Sequence, residues 1–246
     1  MARRALLLLM AIGTTSVMQA NAQEVGGPPP EKEPGPWTGK AAIGFLATSG
    51  NTQSTSLNSA FTIVYSVSRW AHSLEASAIK ASEEDDTTAE AYRLGWKSEY
   101  NLSQYNFLFA RVNWRKDRFS GYDQQLSESL GYGRRLIDTG VHFLNVEIGA
   151  GARQADLTDG TMEDEFIVRS GLHYQWKFTE TAHFLQDLTV ESGPENTYGE
   201  SVSAFKTSLV GALALVASYT VKNNSNVPVD TEKTDTFAAL SFEYPF

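Results

Sequence analysis

From Trp37 onward the apolar residues recur at every second position, the period of a strand with one greasy and one polar face. Two runs show it most plainly. Tyr92, Leu94, Trp96 and Tyr100 alternate with Arg93, Lys97 and Glu99; Phe166, Val168, Leu172, Tyr174, Trp176 and Phe178 alternate with Arg169, His173, Gln175 and Lys177. Polar clusters divide the chain into twelve such segments, over 37–48, 53–68, 70–82, 88–102, 105–119, 122–137, 141–155, 164–178, 182–192, 199–210, 212–223 and 234–246. Helices are not expected. Each segment exceeds the roughly 9 to 11 residues with which a tilted strand crosses a hydrocarbon layer. An even number also suits closure of an up-and-down antiparallel barrel. The pattern predicts an all-β chain: a transmembrane antiparallel β-barrel of about twelve strands over residues 37–246.

A secreted, soluble β-sandwich also alternates, burying its apolar face between two sheets. The end of the chain separates the two readings. Leu240, Phe242, Tyr244 and Phe246 are spaced by two, so the closing strand is apolar on one face to its last residue. Aromatics near segment ends (Trp37, Trp70, Tyr105, Trp176 and Tyr219) suit the girdles of an outer-membrane barrel, where a ring faces lipid and its polar tip reaches water. Phe242, Tyr244 and Phe246 are the candidate assembly signal, offered to the barrel-assembly machinery; outer-membrane lipid is the other expected partner.

The N-terminus reads as a processing signal. Arg3 and Arg4 precede an apolar run from Ala5 to Ile12, and Ala20-Asn21-Ala22 offers a peptidase small residues, so residues 1–22 are expected to be removed before Gln23. That run is too short for a membrane helix, as is the best later one, Leu209 to Ala217. Residues 23–36 hold five of the eight prolines and form an extended periplasmic linker. The expected location is the cell outer membrane.

Composition leaves the fold open and closes several chemistries. A mean hydropathy of −0.29 is ordinary for a soluble protein, but an alternating barrel averages to the same value. The absence of cysteine excludes disulfides, thiolate metal sites and thiol nucleophiles. The net charge of −9 would repel a polyanion, so no nucleic acid is expected as a partner. The acids crowd into four connections: Glu83, Glu84, Asp85 and Asp86; Asp156, Asp159, Glu163, Asp164 and Glu165; Glu191, Glu195 and Glu200; Asp230, Glu232 and Asp235. They read as one acidic external rim, solvated or loosely bridged by divalent cations to anionic lipid headgroups.

Several short motifs bring a resemblance. Thr48-Ser49-Gly50-Asn51-Thr52, Asp117-Arg118-Phe119-Ser120-Gly121, Gly131-Tyr132-Gly133-Arg134, the run from Glu147 to Arg153, Lys233-Thr234-Asp235-Thr236 and the Tyr244-Pro245-Phe246 end occur in order over nearly the whole mature chain. Together they resemble the YdiY-like salt-induced outer-membrane proteins, a domain of unknown function. The resemblance implies an outer-membrane barrel linked to salt or osmotic conditions, and it brings no catalytic residues.

Function would then be built in the lumen. With aromatic faces turned to lipid, the inward candidates are Arg93, Lys97, Glu99, Glu147, Arg153, Arg169 and Lys177, accompanied by Glu75, Arg111, Arg115, Asp187, Lys206, Lys222 and Glu243. They read either as a plug of paired ions or as a narrow pore whose basic excess favours small anions. Strand five is ambiguous, because Phe107 and Phe109 share a face with Arg111 and Arg115. Gly131, Gly133, Gly149 and Gly151 are read as room for bulky neighbours. An outer-membrane hydrolase is the rival class. It would need a nucleophile within reach of His72, His142, His173 or His183, and no Gly-x-Ser-x-Gly or His-Glu-x-x-His motif occurs. Neither catalysis nor a cofactor is expected.

Overall fold

The alternating segments become strands almost residue for residue. The structure is a computed structural model and describes residues 35–48, 54–83, 86–117, 120–229 and 231–246. Its strands are β1 (Trp37–Thr48), β2 (Ser54–Val67), β3 (Trp70–Glu83), β4 (Asp86–Asn101), β5 (Asn106–Asp117), β6 (Tyr122–Asp138), β7 (His142–Leu157), β8 (Met162–Lys177), β9 (Ala182–Ser192), β10 (Thr197–Val210), β11 (Leu213–Asn224) and β12 (Thr234–Pro245). The signal peptide read at 1–22 and all but the last two residues of the linker lie outside the described residues. Pro36, the last linker residue, already joins the wall: its carbonyl accepts the Ser66 N–H at 2.8 Å.

Every strand pairs antiparallel with its sequence neighbours, and β1 pairs with β12 to close a twelve-stranded barrel. Closure leaves no unpaired edge. The seam is short, four register pairs from Lys40↔Pro245 to Ile43↔Phe242, where β7 and β8 share fifteen. Both β1 and β12 have their chain-terminal ends at one mouth, the terminal mouth, where tight turns join the strands. Longer connections gather at the opposite, distal mouth, the longest being 225–233.

Strand parity sorts the residues. Ile43, Phe45, Leu130, Ile148 and Phe166 face outward and are each at least 60% exposed, whereas Arg153 and Glu191 face inward and are 1% exposed. A soluble protein does the reverse. The sandwich reading is thereby corrected: one closed sheet stands with its apolar face outside.

Aromatic rings collect at the terminal mouth. Trp37 lies against Tyr65, Trp70 against Tyr100, and Trp176 against Phe178. His72 and His142 join this belt, stacked on Trp70 and Trp176 and bonded at 2.9 Å to Ser98 Oγ and the Tyr174 hydroxyl. Phe107 and Phe109, by contrast, turn inward with Arg111 and Arg115. The glycines explain how they fit. A Cβ on Gly133 would lie 2.2 Å from the Phe107 ring, and one on Gly131 would lie 2.5 Å from that of Phe109. The empty side-chain positions of β6 are therefore filled by rings from β5.

The distal mouth has a small core of its own. Val227, from the β11–β12 connection, packs on Tyr122, Ala155 and Leu157, and the Tyr122 hydroxyl donates to the Asn226 carbonyl at 2.9 Å. Gly121, with φ +82°, passes beneath Pro228, where a Cβ would sit 2.7 Å from Cδ. In the β7–β8 turn Asp159 accepts the Thr161 N–H at 2.8 Å, and that bond holds its carboxyl below the usual range.

Candidate functional site

The inward face of the barrel is a chain of ion pairs running from mouth to mouth. At the distal end Arg153 of β7 gives Nε to Glu165 at 3.0 Å, and its Nη2 to Glu165 and to the Asn196 carbonyl of the β9–β10 turn. Glu165 also accepts the Glu195 N–H at 2.9 Å, which fastens the turn. Glu191 of β9 takes Arg115 at 2.7 Å and the Ser127 hydroxyl at 3.2 Å. Arg115 lies 3.9 Å over the Tyr198 ring, and the Tyr198 hydroxyl donates to Glu200 at 2.7 Å.

Glu200 then pairs with Arg93. Since β10 and β4 stand six strands apart in a ring of twelve, this pair reaches across the lumen from opposite walls. Lys222 of β11 and Asp117 of β5 do the same at 3.0 Å, closer to the distal mouth. Toward the terminal mouth Glu147 takes Lys97 and, at 2.8 Å, Arg169. Lys97 also pairs with Glu99, which Arg135 approaches at 3.6 Å. His173 meets Asp187 at 2.6 Å, and Glu243 takes Lys206 at 2.5 Å and Lys40 at 3.5 Å.

Cavities lie between these pairs, and two of them border the cross-lumen pair. The larger, about 540 Å³, occupies the terminal half and is lined by Lys97, Glu99, Arg111, Glu147 and Arg169 among others. The smaller, about 270 Å³, lies toward the distal mouth beside Arg115, Tyr122 and Lys222. Arg93, Glu200 and Val202 border both. The cross-lumen pair is therefore the partition between them.

Of the seven lumen candidates Arg93, Lys97, Glu99, Glu147 and Arg169 line a cavity, whereas Arg153 and Lys177 line neither, nor do Lys206 and Glu243 among the residues read as accompanying them. Arg153 is enclosed by Glu165 and the β9–β10 turn, and Lys177 sits at the terminal end of β8 opposite His183. The structure also corrects the acidic rim. Glu165, Glu191 and Glu200 belong to β8, β9 and β10, and they turn inward as counter-ions. With them, and with Asp117 and Asp235, inward acids match the inward bases among the described residues, so the basic excess read from the sequence is absent there. Parity carried a signal for them. Glu191 shares a face with Asp187 and Glu200 with Lys206, both already placed inside.

On the outward face the structure does bring a hydroxyl to an imidazole, Ser98 to His72. Ser98 is buried among the rings of the belt, however, and no carboxylate bonds His72 among the described residues.

The chain matches the family described as "Protein of unknown function, DUF481" over residues 41–246. It is 34% identical over 210 residues to the uncharacterized protein YdiY of Escherichia coli (strain K12), covering 85% of this chain and 83% of that protein. The barrel is similar to an outer membrane channel from Pseudomonas putida F1, with a TM-score of 0.54 and 12% identity over 86% of this chain and 96% of that one. It is also similar to the NanC porin, with a TM-score of 0.49 and 10% identity over 84% and 97%.

Proposed function

The chain belongs to the DUF481 family of proteins of unknown function, and on that premise we propose that it is a narrow outer-membrane channel for ions and small polar solutes. The outward apolar wall faces lipid, the termini face the periplasm, and the distal mouth faces outside. The pair of cavities within the barrel, each bordered by charged side chains, carries this reading. A barrel of twelve strands lies between small filled barrels and the wide channels of 16 to 18 strands, so its interior chemistry decides what passes. Here almost every inward charge has an opposite partner, along the wall or across the lumen, which favours small species of either sign over bulky ones. Passage requires the Arg93–Glu200 partition to part, so the channel rests nearly closed.

The reading is non-catalytic. The resemblance adds a tie to salt or osmotic conditions, checked by comparing the amount of barrel in envelopes from cells grown at low and high salt. The direct test of passage is swelling of liposomes carrying the refolded protein in small and large sugars. Faster swelling in a pentose than in a disaccharide supports a narrow channel. Rates equal to those of empty liposomes would replace it with a purely structural barrel.

A further inference from the structure

Of the cations lining the larger cavity, Arg111 is the one with no hydrogen bond or ion pair among the described residues. It projects inward from the middle of β5, and its Nε is buried without a partner. Arg169, reaching the same cavity from β8, gives one arm to Glu147 at 2.8 Å and likewise leaves Nε buried and unbonded. Glu147 is already shared with Lys97. Lys97 and Arg169 thus share one carboxylate, while Arg111 faces the same cavity with no carboxylate bonded to it among the described residues, and the two guanidiniums repel each other.

The wall between them supplies no further charge. In register with Arg111, β6 and β7 present Ser129 and Gly151; in register with Arg169 they present Gly131 and Gly149. Glu75, the cavity's other unpaired charge, stands across β4 beside Gly95 and is drawn to Arg93. Partly desolvated guanidiniums with unmet donors are costly, and their planar forks match the paired oxygens of an oxyanion.

We propose that Arg111 and Arg169 form a lumenal subsite for a small oxyanion, of the carboxylate, sulfate or phosphate class. The site deepens the channel reading and rests on it for a supply of solute, but binding can be measured without passage. The experiment is chloride-35 NMR on the full barrel refolded in detergent, with inorganic sulfate and then acetate as competitors. Chloride lines should broaden, and sulfate should reverse the broadening at lower concentration than acetate if inorganic oxyanions are preferred, or the reverse order if carboxylates are. Arg111→Gln should lose most of the broadening, while Arg134→Gln, on the outward face, should keep it. If Arg111→Gln does not fold, Ser129→Asp sets a carboxylate in register with Arg111 and should quench the broadening equally. Broadening that persists in a folded Arg111 or Ser129 variant, or is absent from the wild type, overturns the subsite. The channel reading would still stand on its own swelling assay.

Discussion

At the scale of single residues the barrel is set by what the inward positions omit. Phe107 enters the lumen because Gly133 leaves room for it, and Lys97 and Arg135 then lie 5.3 and 4.9 Å from that ring, cations on an aromatic face. Gly133→Ala should therefore destabilise the refolded barrel by about 1 to 3 kcal/mol, the range of overpacking in a filled interior. Adding Phe107→Leu should recover much of the loss, and urea titration of the two variants checks it. Glu128 poses the opposite problem. It faces outward and exposed between Leu126 and Leu130, in register with Val112 and Ala152. If that face meets lipid, Glu128→Leu should stabilise the barrel by up to about 2 kcal/mol, less than the gain from removing a lipid-facing arginine or lysine. A loss of stability in lipid would instead mark that wall as a polar contact surface.

At the scale of elements the strands were legible because an apolar outward face and an ionic inward face enforce a period of two along the strands. The counter-ions were less legible. Glu191 and Glu200 flank the β9–β10 turn and look like loop acids until each is counted from Asp187 or Lys206 along its own strand. For β5 sequence alone could not choose, since two phenylalanines and two arginines share one face and only the glycines of the neighbouring strand decide between them. The seam is the element most open to test. It holds four register pairs, and Phe246 extends it by exchanging backbone bonds with Gly39 at 2.8 and 2.9 Å and stacking 6.0 Å from Phe61. Deleting Phe246 should sharply lower the fraction that migrates as a folded, heat-modifiable band after refolding. Truncating the exposed loop residue Val229 should not.

At the scale of the whole molecule the barrel stands inverted, with its apolar face outside and matched ions inside. Closure of the hydrogen-bond ladder is what a medium without water demands, and from it we expect a fold that needs no bound ion. Exhaustive chelation should leave the folded band unchanged, and its loss would restore weight to cations at the distal acids. The interior then sets the resting state, because opposite walls are tied by Arg93–Glu200 and Lys222–Asp117. Removing one member of such a pair strands a buried charge, so the informative variant replaces both Arg93 and Glu200 by serine. Single-channel recording in planar bilayers, comparing wild type with that double variant, tests the account most directly. We expect small, infrequent steps from the wild type and distinctly larger, longer-lived steps from the variant. Conductance unchanged between two equally well-folded proteins, or no steps from either, would contradict a channel closed by that pair.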